Sequence, residues 1–531
     1  MSPESPHTTT KIASTNEYSG ESLLVQPDPD TQRALGHIAR VAEIEDMKPE
    51  GVGLLTVDEY RSRRSETLSL NPEAELDERE EIQTYLDRQD ARYVGRIREL
   101  AELEHPMNSD CRVVVIIPAY NEGSRIRQTL EQYVKQDVGL NSFEIVVFAT
   151  PVENDTTPSE IERFKIEHPE VSVVFASQPW EEGEPATVGN GRKYGADIAL
   201  ARILESGKAQ DTILVTNDAD TLHIDDDYLS TVLAELDSNG SEDALVTELD
   251  IPVEARKKPN VAAAFYLLSE FEKAYATGIT DDGKEALPEP ALTNGRSTAI
   301  RSAAYAAIGG YNPAAVISED WELGWMLADA RNWDASRVSF LDKTKLTTDP
   351  RRFIDTVINR VPTDQQLLGF KDKPELRQLN NNEILSMVPD SFDWELFQDD
   401  IGSVWGSQFS GANKRIPTAR FETIFSTTMK HMGIEYTVDN TGHVVLNSVD
   451  GFLNKISAIS GESVEIVHSE QREYSPEMLK EIVEYFSGIP VGVIGSRQEK
   501  AKSIISSIQA AQSNGEVDVI PALQKELGRF Q

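Results

Sequence analysis

The sequence predicts an α/β domain with a mainly parallel sheet, between an N-terminal helical extension and a C-terminal α+β accessory region. Three observations support this prediction. Strand-like and helix-like segments alternate from residue 111 onwards, apolar residues recur at helical spacing in the first 108 residues, and a hairpin pattern occurs after residue 366. A chain of 531 residues has room for two or three domains, so we place boundaries at 1–108, 109–365 and 366–531.

The charge balance argues against several classes of partner. The chain has 51 Lys and Arg against 90 Asp and Glu, a net charge of −39. It therefore lacks the cationic face that nucleic acid or an anionic membrane surface requires. The single cysteine, Cys111, excludes a disulfide framework and suits a small buried residue in a reducing compartment. With no apolar run long enough for a membrane span and no secretion signal, we expect a soluble, cytoplasmic protein.

The sequence of the first 108 residues predicts helices and contains no candidate catalytic groups. The beginning is polar and expected to be disordered, residues 31–45 show helical apolar spacing, and residues from about 71 to 105 predict one long amphipathic helix. We expect this extension to serve packing or oligomerisation, so a homo-oligomer is an open possibility.

Four strands are predicted in the central region, and their carboxyl ends meet at one edge of the sheet. The β-branched run that begins at Arg112 and ends at Pro118 is typical of a central strand buried on both faces. Further strands are predicted at 143–149, 171–175 and 212–216, with helices at 124–136, 159–168 and 192–206. Ligands of such sheets bind at the carboxyl ends of the strands, which places the candidate site there.

Asp218 and Asp220 directly follow the last of these strands. Side chains alternate along an extended chain, so the two carboxylates are expected to point to the same side. Converging carboxylates repel each other unless a cation lies between them, and oxygen ligands suit Mg²⁺ or Mn²⁺, which would bridge to substrate phosphates. The alternative is an acidic turn that caps the next helix. The pair alone does not decide between the two.

Four motifs taken together resemble the family 2 glycosyltransferases of the GT-A fold. They are Ile117-Pro118-Ala119-Tyr120-Asn121-Glu122, Asn217-Asp218-Ala219-Asp220, Ile308-Gly309-Gly310-Tyr311-Asn312 and Ser318-Glu319-Asp320-Trp321-Glu322. They occur in the family's order across residues 111–360, which is under half of the chain. The resemblance implies a GT-A-like domain that transfers a sugar from a nucleotide-diphosphate sugar to a soluble acceptor, with inversion, and uses Mg²⁺ or Mn²⁺.

The resemblance also implies roles for matched residues. Asp218 and Asp220 would hold the metal, directly or through water, and the metal would neutralise the leaving diphosphate. Asp218 would also contact the nucleotide sugar. Pro118, Tyr120 and Glu122 would contact the nucleotide, although Glu122 could instead cap the helix that follows.

Two adjacent acids are candidates for the catalytic step. The acceptor hydroxyl must lose a proton as it attacks, and a positioned carboxylate can take that proton. Asp320 matches the residue that serves as the base in inverting members of the family, and Glu319 would shape the acceptor pocket. The alternative is that both acids only begin a helix, where acids are favourable.

Two basic segments are candidates for phosphate binding. Gly189-Asn190-Gly191 predicts a turn before a helix with close backbone approach, so that Arg192 or Lys193 could meet a phosphate; an ordinary glycine turn is the alternative. Thr348-Asp349-Pro350-Arg351-Arg352 resembles a Thr-Ser-x-Arg-Arg segment of part of the family, with Asp349 in place of the serine. Arg351 and Arg352 could bind phosphate through paired hydrogen bonds, or form a surface ion pair.

The sequence departs from the family pattern at several places. Where relatives often carry an Asp-Asp-Gly-Ser-like run, this chain has Glu153 and Asp155, either of which could take the nucleotide-binding place. Some relatives supply a metal-binding histidine after the Glu-Asp motif, but the next one here is the distant His431, and His223 is interpreted as a loop histidine. The Gln-x-x-Arg-Trp motif of processive synthases is absent, which favours the addition of one sugar.

Beyond residue 365 the motifs end. The accessory region is predicted to contain helices near 404–405 and 421–432, a hairpin of 434–438 with 443–446, and a helix from 475.

Two alternative functions remain at this stage. A sugar-phosphate nucleotidyltransferase is disfavoured because no Gly-x-Gly-Thr-Arg signature follows the first strand, and a non-catalytic glycosyltransferase-like binding protein is disfavoured because the acidic residues are present.

Overall fold

An eight-stranded mixed sheet lies at the centre of the structure. The structure is a computed structural model that describes residues 77–180, 184, 187–207, 212–238, 243–277, 293–313, 319–330, 338–359, 381–406, 418–439 and 444–469. Its first four strands are β1 (Val113–Ala119), β2 (Phe143–Ala149), β3 (Val173–Ser177) and β4 (Ile213–Thr216). They run parallel in the order β3-β2-β1-β4. The sequence prediction is confirmed for all four, because their continuous aliphatic runs suit strands buried on both faces.

The second half of the sheet is mixed. It is formed by β5 (Thr221–Ile224), β6 (Ala244–Asp250), β7 (Thr298–Arg301) and β8 (Val338–Thr348). Strand β7 is antiparallel to both β4 and β6, β8 is parallel to β6, and β5 is antiparallel to β8. Parallel pairings therefore predominate, as predicted, and β6 ends at the same edge as β4.

Helices cover both faces of this sheet. They are α1 (Glu78–Arg88), α2 (Ala91–Ala101), α3 (Ser124–Tyr133), α4 (Thr157–Glu167), α5 (Val188–Ser206), α6 (Tyr228–Ser238), α7 (Val253–Arg256), α8 (Pro259–Thr277), α9 (Ser302–Ala307), α10 (Glu319–Ala330) and α11 (Arg351–Asn359). The prediction of a single long helix up to residue 105 is wrong, since the helices α1 and α2 occur there. Asp90 separates them because its carboxylate accepts the amides of Arg92 and Tyr93 at 2.8 and 3.1 Å, which begins a new helix.

Helices α1 and α2 share the hydrophobic core of the sheet. Ile82, Leu86 and Ile97 are completely or almost completely buried in the same cluster as residues of β1 and α5. Glu78 accepts the amide of Thr212 at 3.1 Å and also binds the hydroxyl of Ser302. The described part of the N-terminal extension therefore packs as expected, and the helix predicted at 31–45 lies outside the described residues.

The described C-terminal region is α+β. It contains α12 (Asn381–Ser386), β9 (Phe392–Asp393), α13 (Trp394–Gly406), α14 (Thr418–Met432), β10 (Glu435–Val438), β11 (Val444–Ser448), α15 (Asp450–Ser460) and β12 (Ile466–Val467). The expected hairpin forms between β10 and β11, and the region packs on α8 through a separate apolar cluster. The helix predicted from 475 lies outside the described residues. No helix among the described residues has the length and apolar character of a membrane span.

Helix α5 lies unusually close to the sheet. A Cβ atom placed on Gly195 would come within 2.7 Å of Cγ2 of Ile116, a buried β-branched side chain in β1. By contrast, Gly95 in α2 is exposed and has nothing within 4 Å of such an atom. The two glycines provide a matched test of this contact.

We expect Gly195→Ala to lower the free energy of unfolding by about 1–3 kcal/mol, because the added methyl group overpacks a rigid contact. Gly95→Ala should instead raise it by up to about 1 kcal/mol, since alanine favours an exposed helix position. Denaturant unfolding of both variants measures the two values. Equal effects at the two positions would contradict the close packing of α5.

Candidate active site

The loop after β4 has its backbone held by helix α3. The hydroxyl of Thr129 donates to the carbonyl oxygens of Ala219 and Thr221, at 2.9 and 3.0 Å. The buried amide of Asn217 donates to the hydroxyl of Tyr133 at 2.7 Å. These contacts give the acidic loop one defined shape at the carboxyl edge of the sheet.

A buried guanidinium group joins three loops at this edge. Arg192, which is 4% exposed, donates from Nη2 to Asp218 Oδ1 at 2.7 Å and from Nε to Glu319 Oε1 at 2.8 Å. Its Nη1 donates to the carbonyl oxygen of Gly295 at 2.7 Å. A Cβ atom on Gly295 would lie 2.1 Å from the guanidinium, so only glycine fits there. The sequence analysis did not identify Gly295, because nothing in its local pattern shows that an arginine packs against it.

Asp218 remains a carboxylate because arginines surround it. Burial by itself would raise the pKa of Asp218, but the charges of Arg192, Arg352 and Arg296 lower it below its usual value. Arg352 is exposed, whereas Arg192 is buried. The nearby arginine charges therefore outweigh burial and keep Asp218 ionised.

Asp220 belongs to a second arginine cluster. Nη2 of Arg351 lies 2.8 Å from Asp220 Oδ2 and 3.8 Å from Glu122 Oε2, and its Nε lies 3.0 Å from Asp349 Oδ2. Arg125 approaches the same Asp349 oxygen at 3.7 Å. Since Arg351 is 7% exposed, its contacts are not the surface ion pair considered as the alternative. Asp349, in the place of the family's serine, holds this arginine against the acidic loop.

Asp320 adjoins the Arg192 network. It is the second residue of α10, and its Oδ2 accepts the amide of Gly295 at 2.6 Å. Its backbone carbonyl accepts the hydroxyl of Thr293. The segment before β7 therefore orients the carboxylate on one side and receives Arg192 on the other.

Glu319 does not lie in an acceptor pocket, where the resemblance to the family would place it. It is 3% exposed, and burial together with the neighbouring Asp320 raises its pKa to about 7, although Arg192 acts in the opposite direction. Burial leaves this carboxyl almost no surface for an acceptor. The structure thus places Glu319 behind the site, where it positions Arg192, and not in an acceptor pocket.

The loop after β1 also reaches this edge. The amides of Glu122 and Gly123 donate to the hydroxyl of Thr157 at 2.8 and 2.9 Å, and Thr157 donates to Asp155 at 2.6 Å. Asp155 therefore helps to hold the loop after β1 against the loop after β2. Helix α3 has Gly123 at its N-cap, and the carboxylate of Glu122 lies 3.8 Å from Nη2 of Arg351.

Three further candidates have different surroundings. Tyr120 is 55% exposed at the end of the first-strand loop, where a ligand could contact its ring. Glu153 is exposed at the same edge of the sheet. Pro118 faces helix α5, since a Cβ atom on Gly191 would lie 3.5 Å from it.

The glycine segment and Lys193 require a correction. The segment is part of α5, which Thr187 caps by accepting the amide of Asn190 at 3.0 Å, and not a turn before it. Lys193 points away from the acidic loop, and its Nζ donates to the hydroxyl of Tyr85 and to Asp197, both at 2.6 Å. Adjacent helical residues point about 100° apart, which separates Lys193 from Arg192.

The Gly-Gly-Tyr motif has a packing role. Gly310 has a φ of +75°, and a Cβ atom there would lie 2.6 Å from the hydroxyl of Tyr85. Tyr311 is 2% exposed, and its amide donates to the hydroxyl of Tyr305 at 3.1 Å. The motif therefore buries an aromatic ring behind the site and joins it to α1.

Neither histidine considered above lies on the acidic pair. His223 belongs to β5 and lies 3.4 Å from Asp225, and His431 lies 3.3 Å from Glu270 on α8. The placement of His223 in a strand corrects its interpretation as a loop residue.

Asp218 and Asp220 have no third protein ligand within reach in the described part of the chain. The one group of three metal-binding side chains found there is Glu131, Glu167 and His168, and Arg127 already binds Glu167. A metal on the acidic pair would therefore need oxygen atoms from water or substrate. Mg²⁺ commonly binds in this way.

A buried carboxyl group near Asp320 was missed by the sequence analysis. Glu272 on α8 is 9% exposed, and burial, with a smaller contribution from Asp320, raises its pKa to about 7, although Arg296 acts in the opposite direction. A glutamate among alternating charged residues resembles a solvated helix position, so the sequence offered no signal.

We expect Glu272→Gln to stabilise the protein increasingly as the pH rises. The pKa of about 7 in the folded state exceeds the ordinary value of 4.5, so stability is fully present below 4.5 and is lost as the pH rises through 7. Glutamine removes this loss, and its advantage should increase by about 2 kcal/mol between about pH 5 and pH 8. Denaturant unfolding across this range measures it. A pH-independent difference would contradict burial of the ionised group.

Solved structures show only weak overall similarity to this chain. A Pyrobaculum calidifontis mannosyltransferase in complex with GDP-Man and Mn²⁺ is 18% identical, with a TM-score of 0.33 over 66% of this chain and 99% of the other. Staphylococcus aureus TarS 1-349 is 17% identical, with a TM-score of 0.30 over 63% and 96%. Mycobacterium tuberculosis glucosyl-3-phosphoglycerate synthase is 15% identical, with a TM-score of 0.27 over 47% and 73%.

One sequence-family profile matches a defined part of this chain. No curated protein matches the chain. Residues 111–347 match the profile of glycosyltransferase like family 2, and this range contains β1 to β7, most of β8, the acidic loop and Asp320. The match confirms the resemblance inferred from the four motifs. Residues 111–347 of this chain therefore belong to glycosyltransferase like family 2 and form a glycosyltransferase domain.

Proposed function

We propose that this protein transfers a sugar from a nucleotide-diphosphate sugar to a soluble acceptor, in a metal-dependent reaction that inverts the anomeric centre. The observation that carries this proposal is the convergence of Asp218, Asp220 and Asp320 at one sheet edge, where Arg192 and Arg351 hold the first two. The domain's family supports sugar transfer, and the charges of the site support a diphosphate donor.

The arginines provide the positive charge that a diphosphate needs. Arg192, Arg296 and Arg352 lower the pKa of Asp218, and Arg351 contacts Asp220. In a chain with a net charge of −39, such a cluster is unusual and favours an anionic ligand. Exposed Arg352 is the best placed of the cluster to meet the diphosphate through paired hydrogen bonds.

The acidic pair fits a hard divalent cation. Each carboxylate has two oxygen atoms, and the arginine bonds described above occupy Oδ1 of Asp218 and Oδ2 of Asp220. Two carboxylates completed by water and phosphate oxygens form a typical Mg²⁺ or Mn²⁺ site. When bound, the cation supplies positive charge against the negative charge that develops on the leaving diphosphate.

Asp320 acts as the base. The acceptor oxygen forms a bond to the anomeric carbon as the bond from that carbon to the diphosphate oxygen breaks. The acceptor proton moves to the Asp320 carboxylate, and the nucleoside diphosphate departs with the bonding electron pair. One displacement of this kind inverts the anomeric configuration. The hydrogen bond from the amide of Gly295 orients the base.

We expect one nucleotide sugar of a panel to raise the melting temperature, and Mn²⁺ or Mg²⁺ to be required. A ligand that binds only the native state at about 100 times its Kd adds about 2.7 kcal/mol, which corresponds to a rise of several degrees. Asp220→Asn should abolish the rise, since it removes a metal-binding charge but still accepts a bond from Arg351. Thermal unfolding with and without metal measures this effect.

The matched control is Asp226→Asn, because Asp226 is an exposed acid that follows β5. Its response to donor and metal should equal that of the unmodified protein. A donor-dependent rise that persists in Asp220→Asn, or that needs no metal, would contradict the metal-dependent part of the proposal.

We expect Asp320→Asn to reduce sugar transfer by about 10²–10⁴-fold, because asparagine cannot take the acceptor proton. Donor binding should persist, since Asp320 is not placed on the acidic pair. Initial rates of nucleoside diphosphate release and the donor-induced thermal shift measure the two effects. Unchanged turnover would exclude Asp320 as the base, and loss of donor binding would assign it to the donor site instead.

A further inference from the structure

Helices α1 and α2 lie before residue 111, where the match to the family profile begins. Both helices pack on α5, which carries Arg192, and α1 also packs on α9, which leads into the Gly-Gly-Tyr motif. Ile82 and Ile97 belong to the same apolar cluster as residues of α5 and α9. The N-terminal extension therefore contacts elements on which the geometry of the site depends.

A buried polar cluster joins α1 to α5. The hydroxyl of Tyr85 donates to Asp197 Oδ1 at 2.8 Å and accepts a hydrogen bond from Lys193 Nζ at 2.6 Å. Nζ of Lys193 also donates to Asp197 Oδ2 at 2.6 Å. All three side chains are buried, so the loss of one partner leaves a charged group in the interior without full compensation. The Tyr85 hydroxyl therefore holds one turn of α5, the turn next to Arg192.

The same hydroxyl group packs against the Gly-Gly-Tyr motif. A Cβ atom on Gly310 would lie 2.6 Å from it, and Gly310 has a φ of +75°, which other residues rarely adopt. The ring centre of Tyr305 lies 6.1 Å from that of Tyr85 and 5.6 Å from that of Tyr311. The hydroxyl of Tyr305 accepts the amide of Tyr311 at 3.1 Å. Tyr85 therefore limits the positions that the motif can take.

Tyr311 is a neighbour of Arg192. It is almost completely buried, and burial raises the pKa of its hydroxyl group, while the charges of Arg192 and Glu319 act on that pKa in opposite directions. The beginning of α5 is joined to the same segment, because the hydroxyl of Thr187 donates to the carbonyl oxygen of Pro313 at 2.7 Å. The motif and the helix that carries Arg192 are therefore held together.

We propose that Tyr85 is a positioning residue for the site of sugar transfer. Its hydroxyl group holds the Gly-Gly-Tyr motif and Lys193 in place, and these two fix Arg192, which binds Asp218. A residue before the family profile thus sets the geometry of the acidic loop. This inference rests on the proposed function, since it concerns the metal and the donor of that same reaction.

Loss of the Tyr85 hydroxyl should loosen Arg192 in two ways. Gly310 would gain space where the oxygen atom now lies, and Lys193 would lose one of the two hydrogen bonds described above. A displacement of about 1 Å at a catalytic group can lower a rate about 10²-fold. A group that orients a metal ligand contributes about 10–100-fold to metal affinity. The expected effect is therefore on metal binding and rate, and not only on stability.

Tyr93 of α2 provides a matched control. Its hydroxyl donates to Asp197 Oδ2 at 2.6 Å, so it belongs to the same polar cluster. The three atoms nearest to a Cβ atom on Gly310 belong to Tyr85 and Tyr305, and none belongs to Tyr93. The two tyrosines thus share one carboxylate but differ in their contact with the motif.

The test compares Tyr85→Phe and Tyr93→Phe in the full chain, since each change removes only a hydroxyl group. Mn²⁺ affinity is measured from the EPR signal of free Mn²⁺, well below the melting temperatures, with the nucleoside diphosphate of the donor that stabilises the protein. The rate of nucleoside diphosphate release from that donor by hydrolysis in water is measured in parallel.

We expect Tyr85→Phe to weaken Mn²⁺ binding about tenfold and to lower the hydrolysis rate at saturating donor about tenfold or more. Tyr93→Phe should lower the melting temperature to a similar extent, because each variant removes one hydrogen bond to Asp197, but should change the other two quantities less than about twofold. If Tyr85→Phe does not fold, Tyr305→Phe tests the same path through the motif without removing a partner of Lys193, and it should also weaken Mn²⁺ binding.

The outcomes separate this inference from the proposed function. If the unmodified protein binds neither Mn²⁺ nor any nucleotide sugar, the proposed function fails, and the inference fails with it. If it binds both, and Tyr85→Phe keeps its Mn²⁺ affinity and hydrolysis rate, Tyr85 only packs the fold and the positioning role is excluded. Equal weakening in Tyr85→Phe and Tyr93→Phe would also overturn the inference, because the effect would then follow the shared contact with Asp197 and not the contact with Gly310.

Discussion

The buried guanidinium of Arg192 is the interaction on which the site depends. It binds Asp218 after β4, Glu319 at the beginning of α10 and the carbonyl of Gly295 before β7, so one group joins three distant parts of the chain. Burying an ion pair costs hydration, and removing one partner leaves an uncompensated charge in the interior. The three loops therefore need one another, and the absence of a side chain at Gly295 makes room for the arginine.

Helices α5 and α8 connect this site with the flanking regions. On α5, Arg192 faces the acidic loop, while the neighbouring Lys193 binds Tyr85 of α1, which also packs beside the Gly-Gly-Tyr motif. On α8, Glu272 is buried near Asp320, while Phe271 packs on Phe421 with ring centres 5.6 Å apart. Each flanking region thus packs against a helix that also supplies a residue to the site.

Much of the domain could be predicted because its signals are local. Strands buried on both faces need continuous aliphatic runs, and β2 occupies the predicted residues 143–149. Asp218 and Asp220 were expected at a sheet edge because parallel strands end there together. Lys193 was assigned to a phosphate because it follows a glycine segment, and Glu319 was assigned to an acceptor pocket because its motif resembles that of the family. Their actual partners are distant in sequence, and spacing carries no information about such contacts.

The sequence by itself determined the α/β class, the position of the acidic loop and the family, since periodicity, strand ends and short motifs depend on neighbouring residues. The tertiary structure alone decided which charges meet. It paired Asp218 with Arg192 and Asp220 with Arg351, and it left Glu272 unpartnered beside Asp320 within the described residues. The physical reason is that the pKa and function of a charged group depend on burial and on nearby charges in space, which only the folded chain brings together.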